Sequence, residues 1–164
     1  MRVITSPWPA SSGALLLRDV RSDDLAQLVA LRNNPVVNRF ILRTHVEPET
    51  YQQEWLSIPT SDRDFSCVAQ FDDEIVGIGF LDLVDGMGQR GMPQRTQGVM
   101  GYMLEPDFAG RGFGTGLARG LLSAAFDRLA LRRVTASCNA DNMASARVLE
   151  KAGMRREQHG IQDS

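Results

Sequence analysis

The run Glu105-Pro106-Asp107-Phe108-Ala109-Gly110-Arg111-Gly112-Phe113-Gly114-Thr115-Gly116-Leu117-Ala118-Arg119-Gly120-Leu121-Leu122 decides how this chain is read. A short apolar strand, Gly98 to Leu104, leads into it. A periodic helix, Phe113 to Leu129, leads out, with Leu117, Leu121, Leu122, Ala125 and Leu129 on one buried stripe. Between them Gly110, Gly112, Gly114 and Gly116 alternate. Glycine lets backbone come close to a ligand and take unusual φ values. Arg111 adds a fixed positive charge, and the first-turn N–H groups of the helix point back at the loop. Together these features describe an anion cradle suited to a pyrophosphate. A P-loop needs Gly-Lys-Ser/Thr, and no lysine is present here. A dinucleotide fold would place G-x-G-x-x-G after its first strand with an acid at the next strand's tip, whereas here the next strand ends in Asn139.

Working outward, Arg133 to Cys138 reads as a strand and Met143 to Ala152 as a helix. Gly153 stands at its C′ position, Lys151 in its last turn and Met154 as the apolar contact beyond. Upstream, residues 1 to 13 are rich in Pro, Ser and Gly and read as a flexible lead-in. Leu15 to Arg18 is a first strand. Ser22 is expected to cap a helix carrying Leu25, Leu28, Val29 and Arg32 on one face, closed by Asn33-Asn34-Pro35. A second helix spans Glu47 to Ile58, with Tyr51, Trp55 and Leu56 on its apolar side. Phe65 to Phe71 and Ile75 to Leu83 form a hairpin about Asp72-Asp73-Glu74, and Asp85 to Gln97 is a glycine-rich loop. The order βαα, three strands, α, β, α, β describes a single mixed α/β domain over residues 14 to 164.

The bulk numbers fit one domain: 164 residues, 43% apolar and 23% charged. A net charge of −2 argues against a dedicated nucleic-acid binder. Cys67 and Cys138 each sit in a strand-like run and read as small buried hydrophobes. With no Cys/His cluster, no metal site is assigned. No run has the roughly 18 apolar residues that a spanning helix needs. The N-terminus lacks a signal-peptide pattern and is read as unprocessed, which makes a cytoplasmic location the expectation.

Arg111-x-x-Gly114-x-Gly116 resembles the R/Q-x-x-G-x-G/A signature of the GNAT N-acetyltransferase superfamily. Gly101-Tyr102-Met103-Leu104 with Pro106 resembles its RimJ/RimL-like branch of ribosomal-protein N-terminal acetyltransferases. So do Cys138-Asn139-Ala140-Asp141-Asn142-Met143-Ala144-Ser145 and Val148-Leu149-Glu150-Lys151-Ala152-Gly153-Met154. The likeness runs from about Leu15 to Arg156 and is strongest between Gly101 and Met154. It implies a mixed, mostly antiparallel twisted sheet flanked by helices and splayed at the cofactor site. It also implies acetyl-CoA as acyl donor, with coenzyme A as product. Backbone amides of Arg111, Gly112, Phe113, Gly114, Thr115 and Gly116 would hold the pyrophosphate. Met103 and Leu104 would pair with the pantetheine arm, with Asn139 and Asn142 beside it. Ser145 would face the sulfur, three residues after Asn142 and on the same helix face.

The reaction implied is direct attack of a neutral amine on the thioester. Many superfamily members use a tyrosine as the acid; Leu149 occupies that position here, which shifts the role to Ser145 as stabiliser of the departing sulfur. An α-amine has a pKa near 8 and a lysine near 10.4, so an N-terminal acceptor asks less of a base. Glu105 is the candidate base, acting through water, and a solvated acid before Pro106 is its other reading. Tyr102 reads as a packed aromatic with a hydrogen-bonded hydroxyl. Acceptor recognition is expected from Asn33 to Ile41, the helix with Tyr51 and Trp55, and the loop Asp85 to Gln97. The acceptor is a protein N-terminus or a small amine; a non-catalytic acyl-CoA-binding module and an antibiotic or polyamine acetyltransferase are the alternatives. Related chains add a return strand after Gly153, and this one stops at Gly160-Ile161-Gln162-Asp163-Ser164. The strand edge that would be left open makes a homodimer the expectation.

Overall fold

The computed structural model describes residues 6–37, 46–84, 97–136 and 143–155. Six strands form one sheet in the order β1 to β6. These are β1 Ala10–Ser12, β2 Leu15–Arg18, β3 Cys67–Phe71, β4 Glu74–Val84, β5 Gln97–Leu104 and β6 Arg133–Ala136. Every neighbouring pair is antiparallel except β5 and β6, which run parallel. A parallel pair needs a crossover, and the helix that follows β5 supplies it. The mixed, mostly antiparallel sheet read from the sequence is therefore the sheet observed.

Two helices cover one face and two the other. Leu28 and Leu31 of α1 (Leu25–Arg32) and Tyr51 and Trp55 of α2 (Pro48–Ser57) pack on Val68, Ile75 and Ile78. Across the sheet, Leu117, Ala118 and Leu121 of α3 (Phe113–Ser123) and Leu149 of α4 (Met143–Lys151) pack on Leu15, Leu17, Cys67, Leu81 and Met100. The period-2 alternation of β4 assigns Gly79 and Leu81 to the α3 face and Ile78, Phe80 and Asp82 to the α1–α2 face. A bulge interrupts that strand: Ala69 pairs with Gly77 and Gln70 with Ile75, so Val76 is the extra residue.

Three sequence expectations are corrected. The lead-in assigned to residues 1 to 13 is built structure from residue 7 onward. Trp8 is buried and donates its indole N–H to the Phe65 carbonyl at 2.8 Å, and Ala10–Ser12 pair with β2. Composition alone hid this, because the partners of Trp8 and Ser12 are distant in sequence. Ser22 is not the cap of the first helix. Asp24 holds that place at the end of a 3₁₀ turn, Ser22–Asp24, which Arg21 caps with its N–H donating to the Asp24 carboxylate at 2.7 Å. The long helix after the glycine run is regular to Ser123 and then widens to a π turn over Ala124–Arg128, where the Leu129 N–H reaches the Ala124 carbonyl.

The close of α4 is as read: Gly153 has φ of 106°, its N–H reaches the Glu150 carbonyl, and the Met154 N–H reaches Leu149. The glycine-rich loop at 85–96 and the chain after Arg155 lie outside the described residues, as do Cys138, Asn139 and Asn142.

Candidate active site

The site begins at the turn between β5 and α3. Gly110 and Gly112 have φ of 77° and 82°, and nothing lies near where a Cβ would stand at either. Their conformation, not crowding, demands glycine. They turn the chain so that α3 starts at Phe113, with Gly112 as N-cap and no side chain capping it. The first-turn N–H groups of α3 thus have neither intrahelical nor side-chain acceptors, the arrangement that binds an oxyanion. This is the observation on which a pyrophosphate fits.

Gly114 has a different task. It is buried, and a Cβ there would meet Leu104 Cδ1 at 3.3 Å and Tyr102 Cε2 and Val148 Cγ2 at 3.5 Å. It is the contact point of α3 with β5 and α4. Gly116 faces Leu15 and Ser12, and its carbonyl accepts the Ser12 hydroxyl at 2.6 Å. The four alternating glycines therefore divide into two that turn the chain and two that seat the helix.

Arg111 is exposed, and its guanidinium carbon lies 5.8 Å from the Phe71 ring centroid, 5.2 Å from Phe108 and 5.1 Å from Phe113. The rings also touch one another, with centroids 5.0 Å apart for Phe71–Phe113 and 5.9 Å for Phe108–Phe113. A guanidinium over aromatic faces is held by cation–π attraction, which steadies the charge beside the open helix end.

The second part of the site is a pocket beside the C-terminal half of β5. Among the described residues, pairing of β5 with β6 ends at Met100–Ala136, while β5 runs on through Gly101, Tyr102, Met103 and Leu104. A pocket of about 150 Å³ opens there, lined by Phe80, Gly101, Tyr102, Ala136, Ser145 and Leu149. Phe80 and Gly101 belong to the α1–α2 face and Tyr102 to the α3 face, so the pocket is lined from both faces of the sheet. Leu149 is buried and presents only hydrocarbon. The Tyr102 hydroxyl stands 3.4 Å from Ser145 Oγ, a long hydrogen bond that either oxygen can donate.

Glu105 is placed elsewhere. Its N–H reaches the Val76 carbonyl at 2.8 Å, and its carboxylate accepts from Gln27 Nε2 at 3.4 Å. It lines a neighbouring cleft of about 450 Å³ with Asp23, Asp73, Glu74 and Asp107. The structure thus brings Ser145 to the sheet slot and Glu105 to a separate acidic cleft. Tyr102, read from the sequence as a packed aromatic, is packed but also faces Ser145, 43 positions further along the chain, a contact with no local signal.

On the α1–α2 face, two residues beyond Phe80 along β4, Asp82 is bridged to Asp64. Burial pushes the Asp82 carboxyl up to about 6, and the neighbouring Asp64 carboxylate adds to the effect. Cys67 is fully buried, and that burial drives its thiol well above the ordinary range, consistent with a packing role. Among the described residues, no group of three or more His, Cys, Asp or Glu is placed to hold a metal ion, and no helix is long and apolar enough to cross a membrane.

Comparison with known proteins agrees with this geometry. A model described as the acetyltransferase (GNAT) domain matches residues 14–155. The uncharacterized N-acetyltransferase YnaD of Bacillus subtilis is 34% identical over 58 residues, 35% of this chain and 34% of the relative's length. The chain is similar in fold to the spermidine N-acetyltransferase of Vibrio cholerae, solved with coenzyme A and spermine. That match has a TM-score of 0.75 at 16% identity and covers 91% of this chain and 88% of the other. It is similar also to RimL, the ribosomal L7/L12 alpha-N-protein acetyltransferase solved with coenzyme A. There the TM-score is 0.73 at 17% identity, covering 88% and 82%. With the open helix end and a family match spanning most of its length, the chain belongs to the GNAT acetyltransferases.

Proposed function

We propose that this protein is an acetyl-CoA-dependent N-acetyltransferase that moves an acetyl group from the thioester to a primary amine. One observation carries the reading: the uncapped N-terminus of α3, with Arg111 beside it, stands next to a pocket whose wall holds two hydroxyls. Acetyl-CoA, when bound, supplies an activated acyl group on a thiol leaving group. The chain's part is to bind, orient and move protons. The amides from Arg111 to Thr115 at the open start of α3 and the Arg111 charge would hold the pyrophosphate. The backbone of Met103 and Leu104 would pair with the pantetheine amides, with Asn139 and Asn142 as further partners of the arm. The Ser145 hydroxyl, with that of Tyr102 beside it, would face the sulfur.

The two structural relatives are named for a polyamine and a ribosomal protein N-terminus, both amine acceptors. For this chain we favour a protein N-terminal α-amine, whose lower pKa leaves more of it neutral at pH 7. A homodimer in the cytoplasm completes the reading, with β6 the outermost strand on its side among the described residues. Solution scattering giving a monomer mass counts against the dimer.

Calorimetric titration with acetyl-CoA tests the reading, repeated on Arg111→Glu. Arg111 is exposed, so its replacement leaves the core intact. The parent is expected to bind. The variant is expected to bind about tenfold to a hundredfold more weakly, the range of a lost charge-assisted contact. No heat from the parent would reject the reading.

A further inference from the structure

We propose that the Tyr102 phenol is the acid that protonates the departing sulfur, with Ser145 as its hydrogen-bond partner. The assignment rests on the acetyl-transfer reading above. Among the described residues six line the pocket, and of these Tyr102 and Ser145 carry a side-chain O–H. Phe80, Gly101, Ala136 and Leu149 offer no side-chain donor. A phenol ionises near pKa 10, close enough to a thiol's range to hand over a proton, whereas an aliphatic hydroxyl does not ionise in water at working pH. Of the two groups, the phenol is the competent acid and the serine the competent hydrogen-bond donor.

The fold also fixes where the phenol stands. Tyr102 projects from β5 to the α3 face and is packed against the main core. Gly114 lies against its ring, where a Cβ would come within 3.5 Å of Cε2. The absence of a side chain at that helical position leaves room for the ring against α3. The oxygen there meets Ser145 at 3.4 Å. Two walls of one slot, a strand and a helix, thus aim their hydroxyls at a common point.

The step balances within these groups. The amine nitrogen bonds to the acyl carbon as the carbon–sulfur bond breaks, and the electron pair of that bond stays on sulfur. The phenolic proton passes to sulfur and gives the free thiol. Ser145 donates its hydrogen bond to the phenolate oxygen. The phenolate then regains a proton through solvent, equivalent to the one the nitrogen gives up in becoming an amide. No oxidant or further reactant is needed.

The test is a titration of bound coenzyme A that needs no acceptor. Coenzyme A is added to the parent, to Tyr102→Phe and to Ser145→Ala. Binding is confirmed by calorimetry, and thiolate ultraviolet absorbance is followed against pH. A donor at the sulfur favours the thiolate, so the parent's thiol is expected to ionise at lower pH than in Tyr102→Phe, by about one unit. Tyr102→Phe keeps the ring and its packing, so binding should stay within about threefold of the parent. Equal midpoints in parent and Tyr102→Phe, with binding intact, overturn the Tyr102 assignment and leave acetyl transfer standing. A midpoint moved by Ser145→Ala but not by Tyr102→Phe overturns it too and gives the sulfur contact to Ser145. A parent that gives no heat with coenzyme A removes the underlying reading and this assignment together.

Discussion

Arg18 grips Asp24 with both arms of its guanidinium, Nη1 to Oδ2 at 2.8 Å and Nη2 to Oδ1 at 3.0 Å, and both residues are buried. Asp24 also accepts the Arg21 N–H that starts α1, while Arg18 Nε donates to Gln70 of β3. The pair ties the first helix to the sheet. Replacing Asp24 by Ala leaves a buried guanidinium without its counter-charge, and a loss of about 3 kcal/mol is expected. Denaturant unfolding at pH 7 measures it. Burial alone would raise the Asp24 carboxyl, but the Arg18 hydrogen bond and charge and the Arg21 N–H outweigh it, so its pKa lies below the ordinary carboxylate value. A depressed carboxylate contributes stability above its unfolded pKa, near 4, and loses it as pH falls below that. The parent should therefore lose more stability than Asp24→Ala between pH 5 and pH 3.

Asp82 works in the opposite sense. Its carboxyl is raised to about 6, so the fold favours the protonated form. That preference stabilises the protein fully below pH 4 and is lost as pH rises through 6. Asp82→Asn is expected to raise the melting temperature at pH 7.5 by ~1–3 °C, a modest figure because the carboxyl is only partly withdrawn from water and salt still screens it. At pH 4 the two proteins should melt together. A scan at both pH values decides it.

Gly77 stands opposite Leu104 on β4, and a Cβ there would overlap the Met103 carbonyl oxygen. Backbone cannot yield cheaply. Gly77→Ala should destabilise the protein by about 2–3 kcal/mol. It should also weaken acetyl-CoA binding, because the displaced residues are those assigned to the pantetheine arm. Calorimetry below the variant's melting temperature separates the two effects.

The aromatic trio around Arg111 steadies a charge without touching the slot. Phe108→Leu removes one face of that support. Its loss should raise the KM for acetyl-CoA about threefold and leave kcat unchanged, in keeping with ~0.5–1 kcal/mol for an exposed cation–π contact. Steady-state kinetics at low and moderate salt tests this.

Ser145→Ala should lower turnover while acetyl-CoA affinity stays within about threefold, since one hydrogen bond at a reacting atom acts more on the transition state than on binding. Unchanged turnover would remove Ser145 from the mechanism.

The half of the chain around the glycine run was legible because its signals are local. A positive-φ turn needs glycine wherever it occurs, and the Leu117–Leu121 stripe declares its helix within two turns. The Gly153 closure of α4 is equally local. What escaped was carried by distance along the chain. Trp8 reads as part of a loose Pro- and Ser-rich lead until Phe65 is placed beside it. Asp24 spends its carboxylate on Arg18, six positions back on β2, and on the Arg21 N–H. Tyr102 becomes chemically interesting only once α4 brings Ser145 to it. Glu105 adjoins the pyrophosphate turn in sequence, yet β5 carries it past the slot to the acidic cleft.

The first strand has a bearing on how the protein is handled. Ser12 is fastened to the Gly116 carbonyl in the opening turns of α3, and Arg128 beyond its far end is fastened to the Pro7 carbonyl at 3.0 Å. The opening segment is thus a lace drawn along the whole helix whose tip is proposed to receive the phosphates. Clipping residues 6–13, or crowding them with a fusion partner, unlaces that helix and slackens the donor site from behind.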